Sequence, residues 1–249
     1  MFDSLAPIYL FAATRWEVSQ HLYQIPNTSV ILTGIGMRNA YKVASNLRSM
    51  VSAADARPRL PDGGQVPAYG QESAIKPVLV SIGFSGGTHE SLRPYDIVLA
   101  NQIRHIVYQK SWQTKEELIF PELNPSPYHD TFFEHSRIVW GQIGTAHRPI
   151  LTPYAKKNLG ESRAVCAIDM ESFAVSQAAK EYHLPFLAIR IILDTIWEPL
   201  WGWKPWEFPN RVFKARDILG KFITHFVTRD LCLVTRKTDH EPRITSDGI

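Results

Sequence analysis

The sequence predicts an α/β protein in which helices cover both faces of a central sheet. Two continuous apolar runs, residues 164–168 (AVCAI) and 186–193 (FLAIRIIL), are typical of central strands that are buried on both faces. The segment between them is interpreted as a crossover helix joining two parallel strands. The chain has 249 residues, of which 45% are hydrophobic and 20% charged, so it is long enough for one large α/β domain.

An acidic residue follows each of these two predicted strands. Glu171 comes just after the first and Asp194 just after the second. We expect both to lie past the carboxyl ends of neighbouring parallel strands, where open α/β sheets bind their ligands. A carboxylate there is unfavourable unless it binds or protonates something, so the two residues predict a functional site.

The remaining elements follow from local patterns. The apolar positions of residues 37–50 recur every three or four residues and predict a helix with one buried face. Residues 83–87 (GFSGG) predict a glycine-rich turn whose backbone amides can approach a ligand closely. Residues 109–135 contain several prolines and aromatic residues and are interpreted as a loop. Strands are predicted at residues 8–13, 30–32, 77–82, 96–99 and 138–143, and a C-terminal helix at about residues 210–228.

A single domain is predicted for residues 1–235. Residues 52–74 are rich in proline, glycine and alanine without periodicity, so they are interpreted as an excursion within that domain. Residues 236–249 are polar and are expected to form a loose C-terminal tail.

The composition argues against several classes of protein. The net charge of +3 arises from 27 basic and 24 acidic residues without a dense basic block, so nucleic-acid binding is not expected. Cys166 and Cys232 have no spacing typical of a metal site or a disulfide framework, which favours a reduced, cytoplasmic location. The sequence shows neither a metal-ligand cluster nor a dinucleotide fingerprint, so no cofactor is expected. No segment predicts an export signal or an integral membrane span.

Four segments, taken in order, resemble the signatures of a known enzyme family. They are residues 11–18 (FAATRWEV), residues 33–40 (TGIGMRNA), residues 83–98 with their glycine-rich start, and residues 169–172 (DMES) together with Asp194 and Thr195. Over residues 8–230 the chain is similar to the superfamily of purine nucleoside phosphorylases and nucleosidases, and most to its methylthioadenosine/S-adenosylhomocysteine nucleosidase branch. The resemblance implies a three-layer αβα fold with a central twisted mixed sheet, and an enzyme that cleaves the glycosidic bond of a purine nucleoside.

The resemblance also implies a role for each matching residue. Asp194 matches the general acid that protonates N7 of the departing purine, and Glu17 matches the glutamate that deprotonates the attacking water. Glu171 matches the carboxylate that holds the ribose hydroxyls, with Met170 packed against the sugar. A carboxylic acid keeps its proton near neutral pH when burial and a neighbouring negative charge raise its pKa, so we expect both around Asp194.

Five further residues are candidate substrate contacts. They lie in the glycine-rich segment, in the segment 145–150 that matches the base-binding loop, and after Asp194: Phe84, Ser85, Gly86, Ile150 and Trp197. His147 stands where the family pattern has an acidic residue, and Pro149 where the nearest branch has a base-stacking phenylalanine. The identity of the base therefore stays open.

Each carboxylate also has a purely structural interpretation. Asp194 could cap a helix after its strand, Glu171 could complement a helix dipole, and Glu17 could be an ordinary residue of an early helical turn. Asp169 is interpreted as a turn or capping residue rather than a catalyst.

The nucleophile is water or phosphate. Phosphate needs cations, whereas water needs a base. Phosphorylases of this superfamily carry an arginine where this sequence has Ser81, and Glu17 stands at the water-activating position, so hydrolysis is favoured. Phosphorolysis stays open, because Arg15 and Arg38 could reach a phosphate, and so does a catalytically silent nucleoside-binding module.

After Asp194, four tryptophans fall within the ten residues 197–206. Trp197, Trp201, Trp203 and Trp206 could pack over the core or form a subunit contact; alternatively they form an aromatic wall around a bulky apolar 5′ substituent. Relatives are commonly dimers or higher oligomers, so a homo-oligomer is expected, with residues 109–135 and 197–206 as candidate contacts.

Overall fold

A computed structural model of the protein describes residues 6–46, 76–121, 123 and 131–231. The predicted excursion at 52–74, the tail at 236–249 and Cys232 lie outside the described residues. The described part contains an eleven-stranded sheet. Its strands are β1 Ile8–Ala12, β2 Thr28–Leu32, β3 Val78–Gly87, β4 Ile97–Ala100, β5 Gln102–Gln109, β6 Ser111–Ile119, β7 Thr131–Phe133, β8 Ser136–Trp140, β9 Ile143–Ala146, β10 Ala167–Asp169 and β11 Phe186–Asp194.

The sheet is mixed. Its strand order is β6-β5-β9-β10-β3-β11-β4-β8-β7, and β1 lies between β2 and β3. The central pair of β3 and β11 is parallel, as are the pairs formed by β1 with β2 and β3. The pairs of β10 with β3 and β11 with β4 are antiparallel. The prediction of a mixed sheet is therefore confirmed.

Four α-helices and three short 3-10 helices accompany the described strands. The α-helices are α1 Met37–Ala44, α2 Pro153–Arg163, α3 Ser172–Glu181 and α4 Glu207–Phe226, the last followed by a π-helical turn at Val227–Leu231. The 3-10 helices span Arg15–Glu17, Gln20–Gln24 and Leu200–Gly202. Helix α2 begins at Pro153 because the Thr152 side chain accepts a hydrogen bond from the Ala155 backbone N at 3.1 Å and caps it.

The two faces of the sheet bury different helices, because side chains alternate along each strand. On one face Leu10, Val80 and Ile189 belong to a core cluster with Leu219 and Phe222 of α4. On the other face, strand residues pack against α1 and α3 in a second cluster that includes Phe11, Leu79, Ala188, Ala40 and Val175. The predicted three-layer αβα arrangement is confirmed.

The sheet also curves back on itself. Only Gly141 and Gln142 separate β8 from β9, although four strands lie between these two in the sheet order. The three peptide links from Trp140 to Ile143 reach at most about 11 Å. Five strand spacings in a flat sheet would need roughly 24 Å. A curled sheet resolves the mismatch, and the close packing of Gly141 fits it, since a Cβ there would lie 2.5 Å from Cys166 Sγ.

Several element predictions were wrong. Residues 138–143 form two strands rather than one, for the reason just given. Residues 83–87 are not a turn but the second half of β3, because β10 and β11 hydrogen-bond to it there. The predicted loop at 109–135 contains β6 and β7, which are the two end strands of the sheet order; β6 is mostly polar and exposed, so it lacks the apolar run that marks a buried strand. Residues 122 and 124–130 lie outside the described part.

Other boundaries also differ from the predictions. The prediction that β10 and β11 are neighbouring parallel strands was wrong, since β3 lies between them and is antiparallel to β10 but parallel to β11. Helix α4 begins at Glu207 rather than near residue 210, and α1 ends at Ala44, with residues 47–50 outside the described part. The run of residues 186–193, apolar except for Arg190, does form a buried strand, and a helix, α3, does separate β10 from β11.

Candidate active site

One cavity of about 580 Å³ collects most of the residues that the sequence singled out. It opens where β3, β10 and β11 end beside the 3-10 helix at Arg15–Glu17. Its lining includes all three candidate carboxylates, Glu17, Glu171 and Asp194. The other predicted contacts that line it are Met170, Phe84, Ser85, Gly86 and Ile150.

Glu17 is held in place by two backbone amides. Its Oε2 accepts a hydrogen bond from Thr14 N at 2.9 Å, and its Oε1 accepts one from Phe84 N at 3.3 Å. The side chain packs against Gly83, where a Cβ would lie 2.7 Å from Oε1, so a glycine is required by close approach. Burial raises the pKa of Glu17, although these hydrogen bonds and the nearby charge of Arg190 act in the opposite direction. Glu17 therefore both caps the short 3-10 helix, through its contact with Thr14, and lines the cavity.

Glu171 bridges two distant parts of the chain. It directly precedes α3, and its Oε1 accepts a hydrogen bond from Gly36 N at 2.7 Å, just before α1. Its Oε2 accepts a weaker one from Met170 N at 3.3 Å. Burial, and then the negative charge of Asp169, raise the pKa of Glu171 to about 7. The residue therefore does more than complement the dipole of α3.

Asp194 has a neighbour that the sequence did not suggest. Instead of the expected negative charge, the Nζ of Lys156 contacts its Oδ2 in a buried ion pair. The same oxygen accepts a hydrogen bond at 3.2 Å from the backbone N of Leu200, the first residue of the 3-10 helix Leu200–Gly202, although the N-cap residue of that helix is Pro199. The expectation of a carboxyl group beside a second anion was wrong, because α2 brings a lysine to this position.

A fully buried charged network lies beside the cavity. The guanidinium group of Arg190, 1% exposed, donates from Nε to Asp169 Oδ2 at 2.7 Å, and from Nη2 to Ser81 Oγ at 2.7 Å and Ser172 Oγ at 2.9 Å. Asp169 Oδ2 also accepts from Ser172 N at 3.1 Å, at the start of α3, whose N-cap residue is Glu171. The network ties β3, β10, β11 and α3 together, and Asp169 itself lines the cavity.

The predicted glycine-rich segment supplies one free polar group. Ser85 Oγ is buried and has no hydrogen-bond partner among the described residues. A buried hydroxyl without a partner is unfavourable, so it is suited to bind a ligand group inside the cavity.

The tryptophan-rich segment contributes to the cavity through other residues. Trp197 does not line it; its ring is 66% exposed and donates from Nε1 to Glu90 O at 3.1 Å. Trp203 packs against Phe208, with ring centroids 6.1 Å apart, and the side chain of Trp201 lies outside what the structure describes. Leu200 and Phe208 are the residues of this region that face the cavity.

The rest of the cavity wall is largely apolar. At the mouth, Trp16, Ile35 and Phe208 line the cavity while they stay substantially exposed. Phe213 packs against Trp16, with ring centroids 5.8 Å apart, and extends this apolar surface. The remaining apolar lining residues are Ala13, Pro149, Leu151, Ile168, Leu193, Leu200 and Val212.

Cations are scarce in the cavity. Arg148 lines it, whereas Arg15 and Arg38 are exposed residues outside the lining. Ser81 stands where phosphorylases carry an arginine, and it accepts a hydrogen bond from Arg190, whose donors are directed to protein groups. Within the described ranges no group of three or more His, Cys, Asp or Glu side chains is placed to hold a metal ion. No helix in those ranges is long and apolar enough to cross a membrane.

Sequence reasoning missed three contributors to the site: Lys156, Arg190 and the apolar mouth. Arg190 interrupts the apolar run of β11, and a lone charge inside a buried strand was the available signal. Lys156 lies one helical turn before the buried residues Leu159 and Gly160, which places it on the inner face of α2. Its partner Asp194 is distant in sequence, so no local pattern predicted the pair.

Comparison with known proteins identifies similar nucleosidases. A 5′-methylthioadenosine/S-adenosylhomocysteine nucleosidase from Bacillus licheniformis is 28% identical over 130 residues, which cover 47% of this chain and 56% of the relative. The corresponding enzyme from Bacillus cytotoxicus is 25% identical over 128 residues, covering 47% and 55%. The match spans about half the length of these relatives.

Solved structures with the same fold cover almost the whole chain. A nucleosidase of the same name from Colwellia psychrerythraea, in complex with adenine, has a TM-score of 0.66 at 14% identity and covers 90% of this chain and 96% of its own. That of Neisseria meningitidis, in complex with methylthio-immucillin-A, has a TM-score of 0.63 at 15% identity, covering 88% and 97%. A futalosine hydrolase mutant of Helicobacter pylori has a TM-score of 0.64 at 14% identity, covering 90% and 99%.

The family model that describes the phosphorylase superfamily matches residues 12–227, which is most of the chain. The segments that carried the resemblance in the sequence, and the mixed sheet with helices on both faces, agree with this match. The chain belongs to the phosphorylase superfamily.

Proposed function

We propose that the protein is an N-ribosyl hydrolase that cleaves the glycosidic bond of a purine nucleoside. The observation that carries this proposal is the convergence of Glu17, Glu171 and Asp194 on one cavity large enough for a nucleoside. The resemblance implies distinct roles for the three carboxylates, and those roles require that all three surround a single bound nucleoside. The similarity to nucleosidases supports the same reaction class.

Glu171 is suited to hold the ribose and to favour the transition state. Its pKa is raised to about 7, mainly because burial disfavours the charged form. Two ribose hydroxyls donating to the carboxylate would offset that loss of hydration. The positive charge that develops on the sugar as the glycosidic bond stretches favours the ionised form further, so the interaction strengthens towards the transition state.

Glu17 is suited to activate water. A general base must be ionised and lie near the nucleophile, and a raised pKa makes it a stronger base. The two backbone hydrogen bonds from Thr14 and Phe84 fix the carboxylate, so little reorganisation is needed during the reaction. Ser85, with its unpartnered hydroxyl, can contact either the ribose or this water.

The scarcity of cationic side chains in the cavity favours hydrolysis over phosphorolysis. A bound phosphate needs several cationic or amide donors, and Arg148 is the cationic side chain in the described lining. Arg190 is engaged by Asp169, Ser81 and Ser172, and Arg15 and Arg38 lie outside the lining.

The apolar mouth points to the 5′ end of the substrate. Trp16, Ile35 and Phe208 offer hydrophobic surface that a methylthio group alone cannot cover, so the proposed substrate carries a bulkier apolar 5′ substituent.

Homo-oligomerisation is a further part of this proposal. Mass measurement of the native protein in solution tests it, and a monomer would contradict it.

A nucleoside panel tests the proposal. Adenosine, guanosine, inosine, futalosine and 5′-alkylthioadenosines are each incubated with the protein, and free base is measured with and without phosphate. Base release that does not depend on phosphate is expected. Base release only with phosphate would favour the phosphorylase, and tight binding without base release would favour a silent binding module.

A further inference from the structure

A buried lysine makes direct contact with the proposed acid of the active site. Lys156 lies in the first turn of α2 and is 1% exposed. Burying an ammonium group is costly unless it is paired, so its position needs a specific partner. That partner is Asp194, whose Oδ2 accepts the hydrogen bond from Lys156 Nζ.

The two oxygens of Asp194 have different surroundings. Oδ2 accepts hydrogen bonds from Lys156 Nζ and from Leu200 N, whereas Oδ1 accepts none from the described residues. Gly86 makes room for the pair, since a Cβ on it would lie 2.9 Å from Nζ and 3.1 Å from Oδ1. Asp194 and Gly86 line the cavity while Lys156 lies behind them, so the lysine reaches a ligand only through Asp194.

This arrangement raises a difficulty for the departing base. In an ion pair the carboxylate carries no proton, and N7 of a purine is an acceptor, so neither can donate to the other. The proton that makes the base a good leaving group must therefore come from a group that contacts Asp194. The ammonium group of Lys156 is such a group, and it is shielded from solvent.

We propose that Lys156 supplies the proton that the leaving base takes, and that Asp194 passes it on. This inference rests on the proposed function. The proton moves from Nζ to the Asp194 carboxyl group and then to N7, while the electrons of the C1′–N9 bond go to the base. The water oxygen forms a new bond to C1′, and the proton it loses goes to Glu17. After the reaction the pair of Lys156 and Asp194 has one proton fewer and Glu17 has one proton more, and proton exchange with solvent restores both.

Lys156 is a positioning residue in this scheme, since it acts through Asp194 and does not touch the substrate. A purely structural lysine would affect every substrate equally. A proton-supplying lysine affects only those substrates whose leaving group must be protonated. A purine nucleoside belongs to this second class, whereas 4-nitrophenyl β-D-ribofuranoside does not, because its phenolate leaves without a proton.

The test compares these two substrates in Lys156→Met and Lys156→Arg, with Lys157→Met as the matched control. Lys157 is the next residue, is half exposed and pairs with Glu90 on the surface. Arginine keeps the positive charge beside Asp194 but does not release its proton. We expect kcat on the purine nucleoside to fall by about a hundredfold in both Lys156 variants, with little change in KM. Release of nitrophenolate should fall far less, and Lys157→Met should resemble the wild type on both substrates.

The possible results separate the two proposals. If the wild type releases neither base nor nitrophenolate, the proposed function fails and this inference fails with it. If the wild type is active but a folded Lys156 variant keeps the wild-type ratio of the two activities, only the inference is overturned. Should Lys156→Met fail to fold, because Asp194 is left unpaired, Lys156→Arg gives the same comparison with the charge retained; restored purine turnover in Lys156→Arg would overturn the inference.

Discussion

Glu171 Oε1 accepts a hydrogen bond from the backbone N of Gly36 at 2.7 Å, which joins the start of α3 to the start of α1. Burial and the negative charge of Asp169 disfavour the ionised carboxylate, although the hydrogen bond from Gly36 acts in the opposite direction. The pKa of Glu171 is raised from 4.5 to about 7. The folded protein therefore holds a proton on Glu171 in a pH range where the unfolded chain has lost it.

The stability of the protein should depend on Glu171 between pH 4.5 and about 7. The folded state binds the extra proton, so the contribution of Glu171 is fully favourable below pH 4.5 and is lost as the pH rises through 7. We expect Glu171→Gln to remove this loss, so that the Tm of the variant minus that of the wild type increases with pH over this range. Thermal melts at several pH values measure it, with surface Glu161→Gln as the control for loss of a carboxylate. A difference that stays flat or declines with pH would contradict the assignment.

Gly83 is expected to be essential for the position of Glu17. A Cβ at residue 83 would lie 2.7 Å from Glu17 Oε1, so Gly83→Ala must displace the carboxylate. Displacing a catalytic group by about 1 Å lowers the rate on the order of a hundredfold, and we expect a loss of kcat on that scale. Gly202→Ala is the control for an added methyl group without close contacts, because the nearest atom to its Cβ would be 3.9 Å away, while Gly83 also has a positive φ of 153° that adds backbone strain. Wild-type turnover in a folded Gly83→Ala protein would show that Glu17 does not need its observed position.

Asp194 is expected to matter for both activity and stability. Asp194→Asn removes the route by which the base is protonated, so turnover should fall by at least about a hundredfold. It also leaves Lys156 buried without its ionic partner, which typically costs about 3–5 kcal/mol of stability. Adding Lys156→Met should recover much of the Tm without recovering turnover of a purine nucleoside. An Asp194→Asn protein as stable as the wild type would argue against the buried ion pair, and wild-type turnover would argue against the role.

The apolar mouth should make longer 5′ substituents better substrates. Each methylene that becomes buried contributes about 0.8 kcal/mol, or roughly fourfold in kcat/KM. We expect kcat/KM to rise along a series of 5′-methylthio-, 5′-butylthio- and 5′-octylthioadenosine. Phe208→Ala should flatten this rise, while Tyr154→Ala should not, since Tyr154 is exposed and lies outside the cavity lining. A series without any rise in the wild type would exclude the bulky substituent.

The sequence predicted the parts of the site that local patterns determine. Glu171 and Asp194 follow strongly apolar runs, so their place at strand ends was visible from the chain alone. The strand order was not, because an apolar run does not state which strand it pairs with, and β3 lies between β10 and β11. Lys156 was missed for a related reason. A lysine on an amphipathic helix is usually exposed, and only the tertiary approach of Asp194 makes its burial possible.

The tryptophans show the limit of composition as a guide. Their density after Asp194 suggested an aromatic wall, yet Trp197 faces away towards Glu90 and Phe208 lines the cavity instead. Aromatic content predicted that this region would contribute apolar surface. Which ring faces the cavity depends on the 3-10 turn at Leu200–Gly202, which was not predicted, and on the start of α4, which was predicted too late in the chain.

Isotope labelling tests the central claim most directly, namely that the three carboxylates act together to add water to C1′ of a nucleoside. The wild type is incubated with a purine nucleoside in H₂¹⁸O containing phosphate, and the sugar is reduced at once with borohydride so that its C1 oxygen no longer exchanges. Mass spectrometry is expected to find one ¹⁸O atom in the sugar, with free base in equal amount and none of either product from Glu17→Gln on the same time scale. Ribose 1-phosphate, or a nucleoside recovered intact, would contradict the account.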